Sequence, residues 1–344
     1  MKSYQLFNWQ TRPRLVDVPQ PTAGPNQVLV KVGGNGLCHS DLHAVDDLTC
    51  CPPHLDIELP LALGHEIAGW VEALGPGVQG LDIGQPCAIT IAGCGQCVLC
   101  AQGWNNYCRS RGKQVGMGLG GGLSEYVVAP VSAIVPLRSL APWQAAPLTD
   151  AGLSSYHAVK RVLPLLTPGS SVVVIGVGGL GHLAVAALKA ICAARVIVTD
   201  QRPQALELAI SMGADLAMLS GDTVAQQIID ATAGADVQAV LDFVGMNSSI
   251  QLARQVIRPL GHIVVVGRGG GSIDFSPHGL PHGACISSTF GGSKLELMEL
   301  LALAEGGGIA CHVERHPLSQ VDAVFDKLRR NEILGRAVIV PDDH

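Results

Sequence analysis

Between Val172 and Ile191 the chain reads Val-Val-Val-Ile, then Gly176-Val177-Gly178-Gly179-Leu180-Gly181, then HLAVAALKAI. No other stretch limits the fold as tightly. A strand that is apolar at every position must be covered on both faces, which implies a parallel sheet flanked by helices. The spacing G-x-G-x-x-G, set between such a strand and a helix, has a mechanical meaning. Gly176 permits the tight turn, Gly178 lets the backbone approach a pyrophosphate, and Gly181 lets the helix pack on the strand. Gly179 and Leu180 complete the turn, and the helix start presents free N–H groups and partial positive charge to an anion. A second strand, Arg195-Val196-Ile197-Val198-Thr199, ends at Asp200. A carboxylate there accepts hydrogen bonds from the adenosine ribose hydroxyls and repels a 2′-phosphate, so NAD is the predicted cofactor. Arg202, two residues on, leaves some tolerance for that phosphate. A merely tight turn does not account for Asp200.

The same alternation of apolar strand, turn and helix repeats after Asp150, with apolar runs at 172–175, 195–199, 238–242 and 262–266. Before it the pattern differs. Segments 26–35, 66–74 and 123–129 alternate apolar and polar residues, punctuated by Gly75-Pro76-Gly77 and the run Gly118 to Gly122. That is the signature of an antiparallel, β-rich domain with many turns. The segment from Lys294 predicts one helix (LELMELLALAE) and a strand (AVIV). With 344 residues, two domains of mixed α/β class are expected.

Composition excludes other classes. The chain is 48% hydrophobic and 15% charged, too apolar for a disordered protein. Its net charge of −6 offers no bulk basic face for phosphates, so no nucleic-acid partner is predicted. The first residues carry no apolar run of signal-peptide type, and the apolar stretch Ser171 to Val198 is interrupted by His182, Lys189 and Arg195. A cytoplasmic protein without a membrane span is the expectation. Eleven cysteines, an odd number, favour reduced thiols and metal sites over a disulfide framework. Cys94, Cys97, Cys100 and Cys108 have the spacing C-x2-C-x2-C-x7-C, which lets four thiolates close a tetrahedron about Zn2+ and leaves no open position. Disulfides or an iron–sulfur cluster are the alternatives that spacing leaves open. Cys50, Cys51, Cys87, Cys192, Cys285 and Cys311 read as packing residues.

Two further motifs are Gly36-Leu37-Cys38-His39-Ser40-Asp41-Leu42-His43 and Gly64-His65-Glu66. Spacing alone does not link residues 38, 65 and 150. Taken with the cysteine lobe and the glycine turn, in this order, they make the sequence resemble the zinc-dependent alcohol dehydrogenases of the medium-chain dehydrogenase/reductase family over essentially the whole chain. It looks most like bacterial NAD-dependent secondary alcohol dehydrogenases. The resemblance implies a GroES-like catalytic domain at 1–150, resumed at 290–344, around a Rossmann doubly wound parallel-sheet domain at 151–289. It implies two zinc ions per chain, the second catalytic and held by Cys38, His65 and Asp150, with Glu66 as an alternative ligand. Many relatives carry Cys where Asp150 stands. Asp41 would orient the His65 ring.

On the same resemblance, zinc lowers the pKa of the alcohol, whose proton leaves through Ser40, the nicotinamide ribose and His43. His39 and Arg336 would contact pyrophosphate, Ser154 and Leu180 the nicotinamide, and Val266 and Phe290 are further cofactor contacts. Family position places Ser40, Ile57, Thr90, Leu119, Phe290 and Gly291 around the substrate. Small groups at Ser40, Thr90 and Gly291 leave room for a second carbon substituent, which suits secondary alcohols and ketones. Apolar walls disfavour sugars, whose hydroxyls would be buried unpaired at roughly 1–3 kcal/mol each. The alternatives are a polyol or sugar dehydrogenase of the same family, a zinc-free reductase, and a non-enzymatic NAD- or zinc-binding regulator. The family also implies a homotetramer, with the strand Cys285 to Thr289 as an edge partner.

Overall fold

The computed structural model describes residues 1–52, 56–233, 237–274, 276 and 278–342. The chain divides into two compact units: Met1–Leu153 with Gly292–Glu305 and Cys311–His344, and Ser154–Gly291 with Gly306–Ala310. The divisions lie a few residues beyond the expected 150 and 289. The helix Ala151–Val162 starts in the first unit and ends in the second, so the break falls inside an element where composition gives no signal.

In the first unit the strand Gln27–Gly36 is the hub of a seven-stranded sheet. It pairs antiparallel with Glu66–Leu74 along its length, with Tyr126–Pro130 over its first half, and with Arg336–Val340 at its far end. Val28, Val30 and Val32 point into one core with Ile67, Val71, Cys87 and Ile89. A second core gathers Leu37, Leu42 and Val45 with Tyr4, Leu63, Phe325 and Ile339. Each such side chain, fully buried, contributes about 1.5–3 kcal/mol. The helix His39–Asp46 turns Leu42 and Val45 into that second core, leaving its opposite side to carry polar groups.

In the second unit six parallel strands run in the order Leu216–Leu219, Arg195–Asp200, Ser171–Ile175, Val237–Asp242, Ile257–Val265, Cys285–Ser288. Val172, Val173 and Val174 are 0% exposed, as a sheet covered on both faces requires. The helix Gly181–Ile191 is buried from Gly181 through Leu188. From Ser171–Ile175 the chain first builds strands on one side and later returns to add Val237–Asp242 on the other. The crevice at the carboxyl ends of these two neighbours is the topological switch point where such sheets take ligands.

Two details correct the sequence reading. The strand foreseen at 262–266 begins at Ile257, and its pairing slips by a bulge across Arg258–Gly261, where Pro259 and Gly261 hide the strand pattern. Of the six cysteines read as packing residues only Cys87 is buried; Cys50 and Cys285 are exposed and the other three are half-buried. Residue type predicts burial only on average, and a thiol fits a surface turn as easily as a core. Among the described residues no helix is long and apolar enough to cross a membrane.

Candidate metal and dinucleotide sites

The register Gly36↔Glu66 places the end of one strand against the start of another, so Cys38, two residues past the pair, and His65, one residue before it, face the same point. Asp150 precedes the helix Ala151–Val162 and completes the group. One ligand atom each from Cys38, His65, Glu66 and Asp150 lies within 4.8 Å of the others. Cys38 Sγ is 3.7 Å from Asp150 Oδ2, and His65 Nε2 is 3.5 Å from the same oxygen. Tetrahedral zinc with bonds of about 2.3 Å to sulfur and 2.0–2.1 Å to nitrogen and oxygen demands edges of about 3.6 Å and about 3.3 Å. The donors therefore fit a single zinc ion.

The groups behind these ligands are buried and ordered by charge. Asp41 Oδ2 accepts from the Cys38 N–H at 3.1 Å, while its Oδ1 accepts from the Gly64 N–H at 3.2 Å and meets His65 Nδ1 at 3.3 Å. One carboxylate thus ties both ligand-bearing turns and leaves Nε2 of the imidazole toward the cluster. Burial alone would lower the proton affinity of His65, but Asp41, Asp150 and Cys38 outweigh it and hold the imidazole well above its usual value. Asp150 is held below the usual carboxylate range, burial notwithstanding, by His65 and Arg336. A divalent cation at this point would replace that imidazole proton. Burial pushes the Glu66 carboxyl up to about 7 against the pull of Arg336, whose guanidinium is ion-paired to it. Glu66 can lie there only because Gly36 has no side chain: a Cβ at Gly36 would collide with the Glu66 carboxylate.

The second donor group, Cys94, Cys97, Cys100 and Cys108, also has its four sulfurs within 4.8 Å of one another. The spans Cys94–Cys100 and Cys97–Cys108 are 3.9 Å and 3.8 Å. A zinc tetrathiolate requires edges of about 3.8 Å, whereas a disulfide requires a bond near 2.05 Å. All four thiols are free, so the disulfide alternative is excluded and the zinc geometry fits. Backbone N–H groups of Gln96 and Cys97 pull the Cys94 thiol down to about 6, the state a metal ligand needs.

In the second unit Asp200 Oδ2 accepts the Val177 N–H of the glycine turn at 2.8 Å, and Oδ1 accepts the Arg202 N–H at 2.9 Å. The Arg202 side chain reaches the same Oδ1 at 3.4 Å. A carboxylate offers about four acceptor positions, so capacity remains for a ribose hydroxyl. Leu180 caps the helix Gly181–Ile191, and its carbonyl accepts from Ser155 Oγ at 2.8 Å. Ser154 is buried; Val266 donates its N–H to the Asp242 carbonyl at 2.8 Å; the Arg268 guanidinium stands 5.8 Å from the Phe290 ring centre.

The remaining sequence-predicted residues belong to the first unit. Ser40 Oγ is 3.5 Å from Cys38 Sγ, and His39 is exposed at the helix start. His43 is exposed, with Nδ1 2.7 Å from Asp47 Oδ2 one helical turn on, a partner the sequence reading did not assign. Arg336, foreseen at the pyrophosphate, is 3% exposed and turned onto Glu66. Ile57 packs on the second core, Leu119 on the first, and the buried Thr90 Oγ1 has no hydrogen-bond partner among the described residues.

Comparison with known proteins agrees with this geometry. Residues 24–139 match the family described as the alcohol dehydrogenase GroES-like domain, and residues 179–306 match the zinc-binding dehydrogenase family. The chain is 33% identical to an NAD-dependent alcohol dehydrogenase of Sulfolobus acidocaldarius, covering 98% of this chain and 99% of that one. The alcohol dehydrogenase of the hyperthermophilic archaeon Aeropyrum pernix superposes with a TM-score of 0.91 at 32% identity, covering 99% and 100% of the two chains. An acetophenone reductase from Geotrichum candidum, solved in complex with NAD, gives a TM-score of 0.86 at 30% identity, covering 99% and 97%.

Proposed function

The chain belongs to the zinc-dependent alcohol dehydrogenases of the medium-chain dehydrogenase/reductase family and acts as an NAD-dependent alcohol dehydrogenase; from that premise we propose that it interconverts secondary alcohols, with some primary ones, and the matching ketones and aldehydes. The observation that carries this reading is the contrast between the two donor groups. Four thiols with zinc-sized edges form a closed, structural site; in the mixed group the pairing of Glu66 with Arg336 leaves Cys38, His65 and Asp150 as the three metal donors and so keeps a position for substrate. When bound, zinc supplies Lewis acidity that lowers the pKa of the alcohol, and NAD supplies the hydride acceptor.

The residues of the chain do the rest. Cys38, His65 and Asp150 hold the metal, and Asp41 fixes the His65 ring so that Nε2 faces it. Glu66, neutralised by Arg336, stands behind as a reserve donor. Ser40 Oγ, beside Cys38 Sγ, takes the alcohol proton in this reading. His43 passes it to solvent, and the hold of Asp47 on Nδ1 makes Nε2 the exchanging atom. Gly176 to Gly181 bind the pyrophosphate and Asp200 the adenosine ribose.

In the first unit the residues assigned to the substrate, Ser40, Ile57, Thr90 and Leu119, are small or apolar, in keeping with a carbinol that bears two carbon substituents. The relative named acetophenone reductase supports an aryl ketone among the substrates. We place the enzyme in the cytoplasm as a homotetramer. Among the described residues the strand Cys285–Ser288 lies at the edge of its sheet, the feature through which two copies would pair. The test is a panel of alcohols and ketones with NAD(H). It should give higher kcat/KM for 1-phenylethanol or 2-octanol than for sorbitol or xylitol. A polyol preference would overturn the substrate assignment and leave the dehydrogenase activity standing.

A further inference from the structure

A buried acid that plays no part in the assignments above sits at the carboxyl end of the strand Val237–Asp242. Asp242 is 0% exposed. A polar group buried to that extent costs stability unless hydrogen bonds replace its water. Its Oδ1 accepts the N–H groups of Val244 at 2.8 Å and Gly245 at 2.9 Å, and its Oδ2 accepts from Ser249 Oγ at 2.8 Å. Ser249 Oγ also accepts the Met246 N–H at 2.9 Å. The whole turn 243–246, which joins this strand to the helix Asn247–Val256, is therefore shaped around one carboxylate at a helix start, where negative charge is favoured.

The place of that turn gives it a meaning beyond stability. The Phe243 N–H donates to the carbonyl of Ile175, the residue before the glycine turn, at 2.9 Å. A Cβ on Gly176 would stand 2.6 Å from Val244 Cγ2, so Val244 fills the space beside the first glycine. On its other side the Asp242 carbonyl accepts the N–H groups of Val266 at 2.8 Å and Gly267 at 3.1 Å. Asp242 and Phe243 together thus register three successive strand ends along the crevice at the switch point. The strands on the glycine-turn side carry Asp200 and the adenosine contacts; Asp242 opens the other half, which by the two-fold plan of such sheets takes the second nucleotide.

We propose that Asp242 is a positioning residue for the nicotinamide half of NAD: its carboxylate sets the turn 243–246, and with it Val244, as one wall of the crevice, beside the Val266 that its main-chain carbonyl holds. The proposal rests on the NAD reading above, and its test keeps the two apart. NADH probes both halves of the site and 5′-AMP the adenosine half alone. In the Asp242→Ala variant the Kd for NADH should rise about tenfold or more while that for 5′-AMP changes less than twofold. In Asp242→Asn the amide oxygen still accepts from Val244 and Gly245, so NADH affinity should return to within about threefold of the unaltered protein. Ser249→Ala removes only the Oδ2 partner and should weaken NADH two- to fivefold with 5′-AMP unchanged, which keeps the proposal testable should Asp242→Ala fail to fold. Equal weakening of both ligands, or unchanged NADH affinity in folded Asp242→Ala or Ser249→Ala, would overturn it. Failure of the unaltered protein to bind NADH would instead overturn the dinucleotide reading itself, and Asp242 with it.

Discussion

Two glycines in the same turn should fail in opposite ways when each is replaced by alanine. A Cβ on Gly178 would meet only Arg202 Nη2, at 3.0 Å, and nothing else within 4 Å. Its φ lies outside the left-handed region, so alanine fits the backbone. Such a change commonly stabilises by about 0.4–1 kcal/mol through the unfolded chain, less whatever the displaced Arg202 loses. The melting temperature should stay within about 4 °C, at about 2–4 °C per kcal/mol. The new methyl would nevertheless stand where pyrophosphate approaches the backbone. Loss of one charge-assisted hydrogen bond costs about 1.5–3 kcal/mol, which at 1.4 kcal/mol per decade is roughly 10- to 100-fold in Kd. Gly181→Ala differs, because its Cβ would run into the Gly176 carbonyl oxygen, a backbone atom that cannot step aside. Overpacking of that kind costs about 1–3 kcal/mol, or roughly 3–10 °C in the melt. NADH titration followed by tryptophan fluorescence, with thermal unfolding by circular dichroism, reads both quantities. Gly178→Ala binding NADH within twofold of the unaltered protein would refute the course assigned to the pyrophosphate.

Other outcomes follow from the two donor groups and from charge. Elemental analysis should return two zinc ions per chain, with Cys38→Ala losing one along with turnover and Cys97→Ala losing the other along with thermal stability. Iron, or full activity with one zinc, would contradict the scheme. Asp200→Gly should narrow the preference for NAD over NADP by about 1.5–3 kcal/mol, read as the ratio of kcat/KM values. Burial alone would raise the pKa of Asp215, but the Val196 N–H and Lys189 hold it below the usual carboxylate range. A depressed pKa stabilises the fold above the unfolded value of about 3.9 and loses that contribution as pH falls through the folded one. Asp215 is 38% exposed, so solvent limits the effect to about 1 kcal/mol or less. Asp215→Asn should lower the melting temperature by about 1–4 °C at pH 7, and the difference should vanish near pH 2–3.

What could be read from the sequence follows the physics of each signal. Strands apolar at every position announce a covered parallel sheet, and Val172 to Ile175 did so without ambiguity. The thiols of the lobe lie close in sequence, so their convergence is visible in the spacing. Cys38 and Asp150 are 112 residues apart, and only resemblance joined them; no periodicity encodes a contact made by sheet register. The exposed Cys50 and Cys285 escaped because hydrophobicity says nothing about which side of a turn faces water. Asp242 left one legible trace, an acid at the end of an apolar strand three residues before a glycine. Its partners are backbone N–H groups, which every residue but proline carries, so the sequence cannot mark them.

The arginine that backs Glu66 also fixes an order of assembly. Arg336 lies 270 residues beyond its partner, on a strand whose Ala337 carbonyl receives the N–H of Leu37, just before the first metal ligand. At about 5–20 residues per second, a ribosome needs roughly 15–50 s to traverse that interval. Throughout it the turns bearing Cys38 and His65 are already in the cell, while the charge that neutralises Glu66 has yet to be made. The metal centre is therefore encoded early and closed late, after the entire dinucleotide unit has been synthesised.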